Sequence, residues 1–278
     1  MKKSPELPLL HSIFWIVAST FVISGFSHKI LHTYLGEKKI KEQPTLYPLS
    51  YIVQTGLQKE ALHSDYLAEL LGLSKDAPTL FTQFDEQTAE QKLLTSPLFS
   101  QVKVKKIPPN MVYVDYTIRK PIGWASDFVN TVVDKDGHLF PMAPFFSPKK
   151  LPEIYLSAEE IQGASFESPL QGKLFELALQ VLNLFDGCEK EAFRVKRIDV
   201  SQSFFPTLGK RGIVVILEND LGENSTSTHF LRLSTQRFSQ EIANYQTLRP
   251  RLLETGKEKS PLGERIIDLR LSQLAFVD

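Results

Sequence analysis

The chain has 278 residues, of which 42% are hydrophobic and 23% charged, so it can bury a sizeable core and is not expected to be globally disordered. Its 32 Lys and Arg residues balance 32 Asp and Glu residues, and the resulting net charge of zero argues against a dedicated nucleic-acid-binding protein. The single cysteine, Cys188, rules out an intrachain disulfide.

A long apolar run over residues 9–27 comes first in chain order. Its length, about 19 residues, is near the lower limit for a membrane-spanning helix, and it predicts an uncleaved transmembrane signal anchor. A cleavable signal peptide, with Val22 and Ser24 before the cut, and a buried helix of a soluble protein are the alternatives. The anchor hypothesis makes residues 1–8 a short cytoplasmic tail and 28–48 a juxtamembrane linker, with the remaining bulk exported.

Residues 49–121 form a compact unit whose predicted order is strand, helix, helix, strand, strand. Tyr51-Ile52-Val53 begins it as a short strand. One helix starts at Ser64, which is a good N-cap residue, and stops at Gly72, while a second starts at Asp85. Alternating apolar residues on both sides of Pro108-Pro109-Asn110 then predict a β-hairpin.

Residues 122–278 are predicted to form a β-rich domain with flanking helices, which makes the fold class α+β. The Asp-x-Asp-Gly motif at 134–137 indicates a turn between two strands, because the other ligands of a calcium loop are missing. Ser168-Pro169 is expected to open a helix that ends at Gly187. Further strands are predicted at 193–200, 212–218 and 228–233, then a helix through Phe238, Ile242 and Tyr245, a polar loop at 254–264, and closing strand segments at 266–271 and 275–277.

No motif of catalysis or metal binding is found. None of the six histidines lies in a His-Glu-x-x-His pattern or beside a cysteine pair, and there is no nucleophile elbow or phosphate-binding glycine loop. The sequence therefore predicts no catalytic residue, no metal, no cofactor and no small-molecule substrate, and a protein that is not an enzyme.

Several segments together resemble the FtsQ/DivIB family of bacterial cell-division proteins, over most of residues 10–278. The resemblance is carried by Thr79-Leu80-Phe81, 96–102 (SPLFSQV), 119–125 (RKPIGWA), 133–140 (VDKDGHLF), Leu151-Pro152 and Ile267-Asp268-Leu269-Arg270. It implies that 49–121 is a POTRA-like domain and 122–278 an FtsQ-type β-domain. Two positions differ from the family pattern: Leu271 replaces an aromatic residue, and Ser234 replaces a glycine.

The resemblance implies a single-pass scaffold of the cell inner membrane, located at the division septum, with a cytoplasmic N-terminus and a periplasmic bulk. Its expected partners are FtsL/FtsB-like divisome proteins and FtsW/FtsI-like septal wall synthases. Two other classes remain open. One is a POTRA-containing envelope-assembly or secretion factor, and the other is a membrane-anchored cell-wall enzyme.

The closing strand is the predicted partner-binding site. If it lies at a sheet edge, its unpaired backbone N–H and C=O groups can pair with a partner segment by strand addition. The candidate residues are Asp268, Arg270, Leu271, Ser272, Leu274 and Phe276. Alternatively, they are core residues of an ordinary last strand. The POTRA-like unit, with strand 51–53 as a candidate edge, is a second docking surface.

Overall fold

The structure is a computed structural model that describes residues 24–25, 29, 47–56, 61–186, 193–222, 225–256, 264–271 and 274–278. The predicted anchor at 9–27 therefore lies almost wholly outside the described residues. Within them, no helix combines the length and the apolar character needed to cross a membrane. The longest described helix, Phe238–Gly256, carries Glu241 and Arg249 and contains Pro250.

These observations correct two predictions. The transmembrane helix in the predicted fold class, and the single-pass inner-membrane location that depended on it, are not supported. The described residues form an α+β protein with two mixed β-sheets.

The first unit has the predicted order of elements. Its elements are β1 (Tyr51–Gly56), α1 (Ser64–Leu71), α2 (Glu86–Leu94), β2 (Phe99–Ile107) and β3 (Met111–Ile118). The sheet order is β1-β3-β2, with β1 parallel and β2 antiparallel to the central strand. Asp85 caps α2 as predicted, since its carboxylate accepts a 2.7 Å hydrogen bond from the Thr88 amide. The N-cap of α1 is His63 rather than Ser64, and its side chain makes no capping bond.

The second unit is built on a nine-stranded sheet of order β12-β11-β10-β9-β8-β7-β4-β5-β6. Its strands are β4 (Gly123–Ala125), β5 (Thr131–Val133), β6 (Leu139–Pro141), β7 (Glu153–Tyr155), β8 (Phe193–Asp199), β9 (Ile213–Asp220), β10 (Thr226–Leu233), β11 (Glu264–Asp268) and β12 (Phe276–Val277). Its helices are α3 (Ala158–Ile161), α4 (Lys173–Asp186) and α5 (Phe238–Gly256), with a single 3₁₀ turn at Leu208–Lys210.

Two helical crossovers join parallel strands in this sheet. Helix α4 connects β7 to β8, and α5 connects β10 to β11. Both helices contribute buried residues to the main hydrophobic core, among them Phe175, Val181 and Tyr245. The core therefore lies between the helices and the sheet.

Helix α4 starts later than predicted, at Lys173 rather than near Ser168-Pro169. The Glu160 carboxylate accepts hydrogen bonds from the amides of Leu174 and Phe175, at 3.1 and 2.8 Å. It thereby supplies an acceptor for two N–H groups of the first turn, which have no partner within the helix. A side chain at Gly172 would collide with this carboxylate. The first turn of α4 is thus defined by a residue of α3 that the local sequence does not reveal.

The two units share a core. Val132, Phe140, Met142 and Phe146 of the second unit belong to the buried cluster built on the first unit. At the same junction Arg119 donates a 2.9 Å hydrogen bond to Asp134, and both side chains are largely buried. The other Asp134 oxygen accepts the amides of Asp136 and His138, which confirms that the Asp-x-Asp-Gly motif forms a turn.

Candidate protein-binding edge

The nine-stranded sheet has two very different ends. At one end, Leu139 and Phe140 of β6 are fully buried, and Pro141 has no backbone N–H to offer. At the other end, both residues of β12 are exposed. Within the described residues no strand pairs with the outer side of β12. Backbone groups for strand addition are therefore available at β12 rather than β6.

The structure changes the predicted closing strand. Strand β11 ends at Asp268, although the Leu269 amide still donates to the Arg232 carbonyl, and the chain then turns at Leu271. Strand β12 returns antiparallel to β11, pairing Phe276 with Asp268 and Val277 with Ile267. The predicted strand at 266–271 is thus wrong in its end point, because a short hairpin replaces its last residues.

The Asp278 amide donates to the Ile266 carbonyl, which fixes the register of this hairpin. In an antiparallel pair, alternate residues point their N–H and C=O groups toward the partner strand. The backbone N–H and C=O groups of Asp278 point toward β11, and those of Phe276 therefore do so too. Val277, between them, directs its backbone groups away from β11. These are the groups that an added strand would use.

Most of the predicted site residues surround this edge. Leu271, Leu274 and Phe276 are 53%, 61% and 59% exposed, and they are accompanied by two exposed residues that the sequence analysis missed, Ile266 and Val277. Ser272 lies outside the described residues. The exposed side chains do not fit the alternative of an ordinary core strand.

Asp268 and Arg270 hold the start of the hairpin. The Arg270 guanidinium makes two parallel hydrogen bonds to the Asp268 carboxylate, Nε to Oδ1 at 2.9 Å and Nη2 to Oδ2 at 2.6 Å. These bonds to the charged carboxylate lower the pKa of Asp268. Arg237 at the start of α5 donates to the Arg270 carbonyl at 2.9 Å. Both predicted residues therefore position the backbone that leads into the edge.

A groove of about 800 Å³ opens beside β12. Arg211, Arg237 and Arg270 line it together with Asp268 and Phe276. Since Asp268 is the one acid among its lining residues and is paired with Arg270, the groove presents a surplus of positive charge next to an aromatic ring. Arg211 and Arg237 were not predicted, and no local pattern marks them, because the loops before β9, before α5 and after β11 bring these arginines together only in the fold.

A second groove, of about 480 Å³, separates the hairpin from α5. Leu271 and Leu274 form one wall, and Gln240, Asn244 and Leu248 of the helix form the other. The two grooves share Arg237 and Leu271. The hairpin thus offers a backbone edge, a groove with a leucine wall and a largely polar helix wall on one side, and a basic groove on the other.

This arrangement suits binding. Within the described ranges, no three His, Cys, Asp or Glu side chains come together as a metal site. The backbone edge can pair with an extended segment, the leucines can contact apolar side chains, and the arginines can bind carboxylates.

No protein-family model matches the chain, and no curated protein matches it either. The resemblance to the FtsQ/DivIB family therefore stays a prediction that rests on the residues quoted for it.

Proposed function

We propose that the chain is a non-catalytic scaffold of the bacterial division machinery that recruits its partners by strand addition at β12. The expected partners are FtsL/FtsB-like coiled-coil proteins, and through them the scaffold would help to regulate FtsW/FtsI-like septal wall synthases. The observation that supports this best is the exposed edge formed by Phe276 and Val277, flanked by one groove with a leucine wall and one basic groove.

The composition of the edge favours a protein partner. Natural proteins protect exposed edges with charges, prolines or covering segments, because an open apolar edge promotes aggregation. Strand β12 carries neither a charge nor a proline, and its neighbours Leu271 and Leu274 are exposed leucines. An edge without these protections is expected where a specific partner covers it.

The two grooves specify what the partner segment should carry. It should be extended where it pairs with Val277, apolar where it meets Leu271 and Leu274, and acidic where it enters the slot between Arg211 and Arg237. Arg270 can contribute to this slot while it remains paired with Asp268, because a guanidinium has five N–H donors.

The test is an affinity pull-down from gently crosslinked cells, with the full chain as bait and mass spectrometry as the readout. We expect the wild-type chain to recover FtsL/FtsB-like proteins, and Phe276→Asp to lower their recovery roughly tenfold or more, because a charge would be buried in the new interface. Val277→Pro should do the same by removing an outward-pointing N–H.

Phe166→Asp is the matched control. Phe166 is also an exposed phenylalanine, at 47%, but it lies in the loop between α3 and α4 and lines neither groove. It should leave recovery unchanged. Equal recovery by Phe276→Asp and wild type would rule out β12 as the interface. Recovery of outer-membrane assembly factors instead, or cell-wall hydrolysis by the purified chain, would contradict the divisome proposal itself.

A further inference from the structure

The three-stranded sheet of the first unit also has two edges, β1 and β2. The β2 edge is closed by side chains of α2. The Glu90 carboxylate accepts the Val104 amide at 2.9 Å, and the Glu86 carboxylate accepts the Lys106 amide at 2.6 Å. These two amides are thus occupied, and two negative charges lie along the edge, which discourages pairing with another strand.

The β1 edge has no such protection. Strand β1 pairs with β3 on one side, and no strand in the described part of the chain pairs with its other side. Its sequence, YIVQTG, contains no charged residue and no proline. Alternate residues of a strand at a sheet edge direct N–H and C=O groups outward, so β1 presents pairing groups that no described strand uses.

The side chains of β1 follow the alternation of a strand. Gln54 and Ile52 are turned toward α1, where the Gln54 amide donates to the Leu62 carbonyl at 2.8 Å and Ile52 packs on the core. Tyr51 and Val53 lie on the opposite face and are 63% and 43% exposed. The outer face of β1 is therefore apolar and open to solvent.

We infer that β1 pairs with β1 of a second copy of this chain, antiparallel and centred on Val53. This register sets Val53 opposite Val53 of the partner subunit, Ile52 opposite Gln54 and Tyr51 opposite Thr55. In this register, the two residues of each opposing pair have their side chains on the same face of the sheet. The two sheets merge into one of six strands, in the order β2-β3-β1-β1-β3-β2.

A second copy fits this edge because the strand is complementary to itself. Six uncharged residues place no like charges opposite each other across the two-fold axis, and the chain as a whole has no net charge to oppose association. Tyr51 packs across the interface beside Thr55, whose hydroxyl is held by Tyr113 and Asp115 at 2.8 and 3.0 Å. A partner recognised by charge would find no charged side chain on β1.

Such a dimer is weak. The contact consists of one pair of short strands with a few exposed side chains, which is below the size of stable protein interfaces. Association is therefore concentration-dependent, and it leaves the β12 edge of both copies free for other partners.

Sedimentation velocity of the full chain over a concentration series tests this, together with hydrogen exchange of the β1 amides. We expect a monomer–dimer equilibrium and slower exchange in β1 as concentration rises. Val53→Lys sets two lysines directly opposite each other and should raise the dimer dissociation constant at least about tenfold. Val53→Thr keeps a β-branched, uncharged side chain and should dimerise like the wild type.

A wild-type chain that stays monomeric at every concentration overturns the inference. So does a dimer that Val53→Lys leaves intact, or one in which β1 exchange is independent of concentration. Thermal unfolding of both variants checks that Val53→Lys still folds. We expect it to fold, because Val53 is exposed at the edge of the sheet. Binding of FtsL/FtsB-like partners by Val53→Lys at wild-type strength would further separate this surface from β12.

Discussion

The two ends of the nine-stranded sheet are both short strands with a phenylalanine, and they are used in opposite ways. Phe140 on β6 is fully buried and packs near Phe146, at a ring distance of 5.7 Å, in the core shared with the first unit. Phe276 on β12 is mostly exposed and lines the basic groove. One end of the sheet is closed by the protein's own core, while the other is left open. Changes at the first should alter stability, and changes at the second should alter binding.

The largest difference is expected between Phe140→Ala and Phe276→Ala. Phe140→Ala leaves a cavity in a fully buried cluster and should lower the free energy of unfolding by about 4 kcal/mol. Phe276→Ala removes an exposed ring and should lower it by less than about 0.5 kcal/mol. Urea unfolding of both variants, followed by fluorescence, measures the two values.

Partner recovery should show the reverse order. Folded Phe140→Ala, assayed well below its unfolding midpoint, should bind partners as the wild type does, whereas Phe276→Ala should bind less. Similar stability losses for the two variants would mean that β12 is packed as tightly as β6, and the contrast between the two ends would be lost.

The buried ion pair at the closed end should give the next largest effect. Asp134→Ala leaves Arg119 without its carboxylate and the amides of Asp136 and His138 without their acceptor, so a loss of about 3 kcal/mol is expected. Thermal or urea unfolding measures it. Lys135 and Asp136 form a second pair in the same turn, but both side chains are exposed, and Asp136→Ala should cost less than about 1 kcal/mol. Equal losses would mean that burial does not control the strength of these pairs.

Local sequence patterns predicted much of this fold, because short-range physics determines those parts. The alternation around Pro108, the Asp85 cap and the stop at Gly72 are set by neighbours within a few residues, and the structure confirms each. The order of elements in the first unit, and most of the order in the second, followed from the same signals, but β7 and α3 were not predicted.

The parts that were missed depend on distant residues. Helix α4 begins where Glu160 reaches it, and the basic groove joins Arg211, Arg237 and Arg270 across more than one element. The β12 hairpin shortens the predicted strand at 266–271 and places the predicted segment at 275–277 alongside β11, because the chain turns back at Leu271. Leu271, Leu274 and Phe276 of the site were predicted. Ile266 and Val277 were not, and neither was the position of Phe276 on a two-residue edge strand.

Acid should weaken the sheet close to its open end. His229 on β10 is completely buried, with Nδ1 2.8 Å from the Tyr245 hydroxyl and, within the described residues, no partner for Nε2. Burial, with additional repulsion from Arg265 and Arg249, lowers the pKa of His229 to about 4. Between pH 6.5 and pH 4 the unfolded chain binds this proton and the folded chain does not. Stability should therefore fall by about 3 kcal/mol as the pH drops through this range.

Urea unfolding at several pH values between 4 and 7 tests this, with His229→Phe as the comparison. The phenyl ring fills the same space without a titrating group, so the variant should lose much less stability on acidification. If the free energy of unfolding falls with pH equally in wild type and variant, His229 does not cause the acid sensitivity.

A smaller loss of stability than at Phe140, Asp134 or His229 is expected at the protected edge of the first unit. Replacing Glu86 and Glu90 by alanine frees the amides of Lys106 and Val104, which should cost about 2 kcal/mol in total and speed their hydrogen exchange. Glutamine at both positions keeps an acceptor oxygen and should preserve most of the protection. In a Val53→Lys background the double alanine variant should also regain concentration-dependent association, now through β2. If it stays monomeric, removing the carboxylates is not enough to open this edge, and the twist of β2 or the packing of α2 must also keep other strands away.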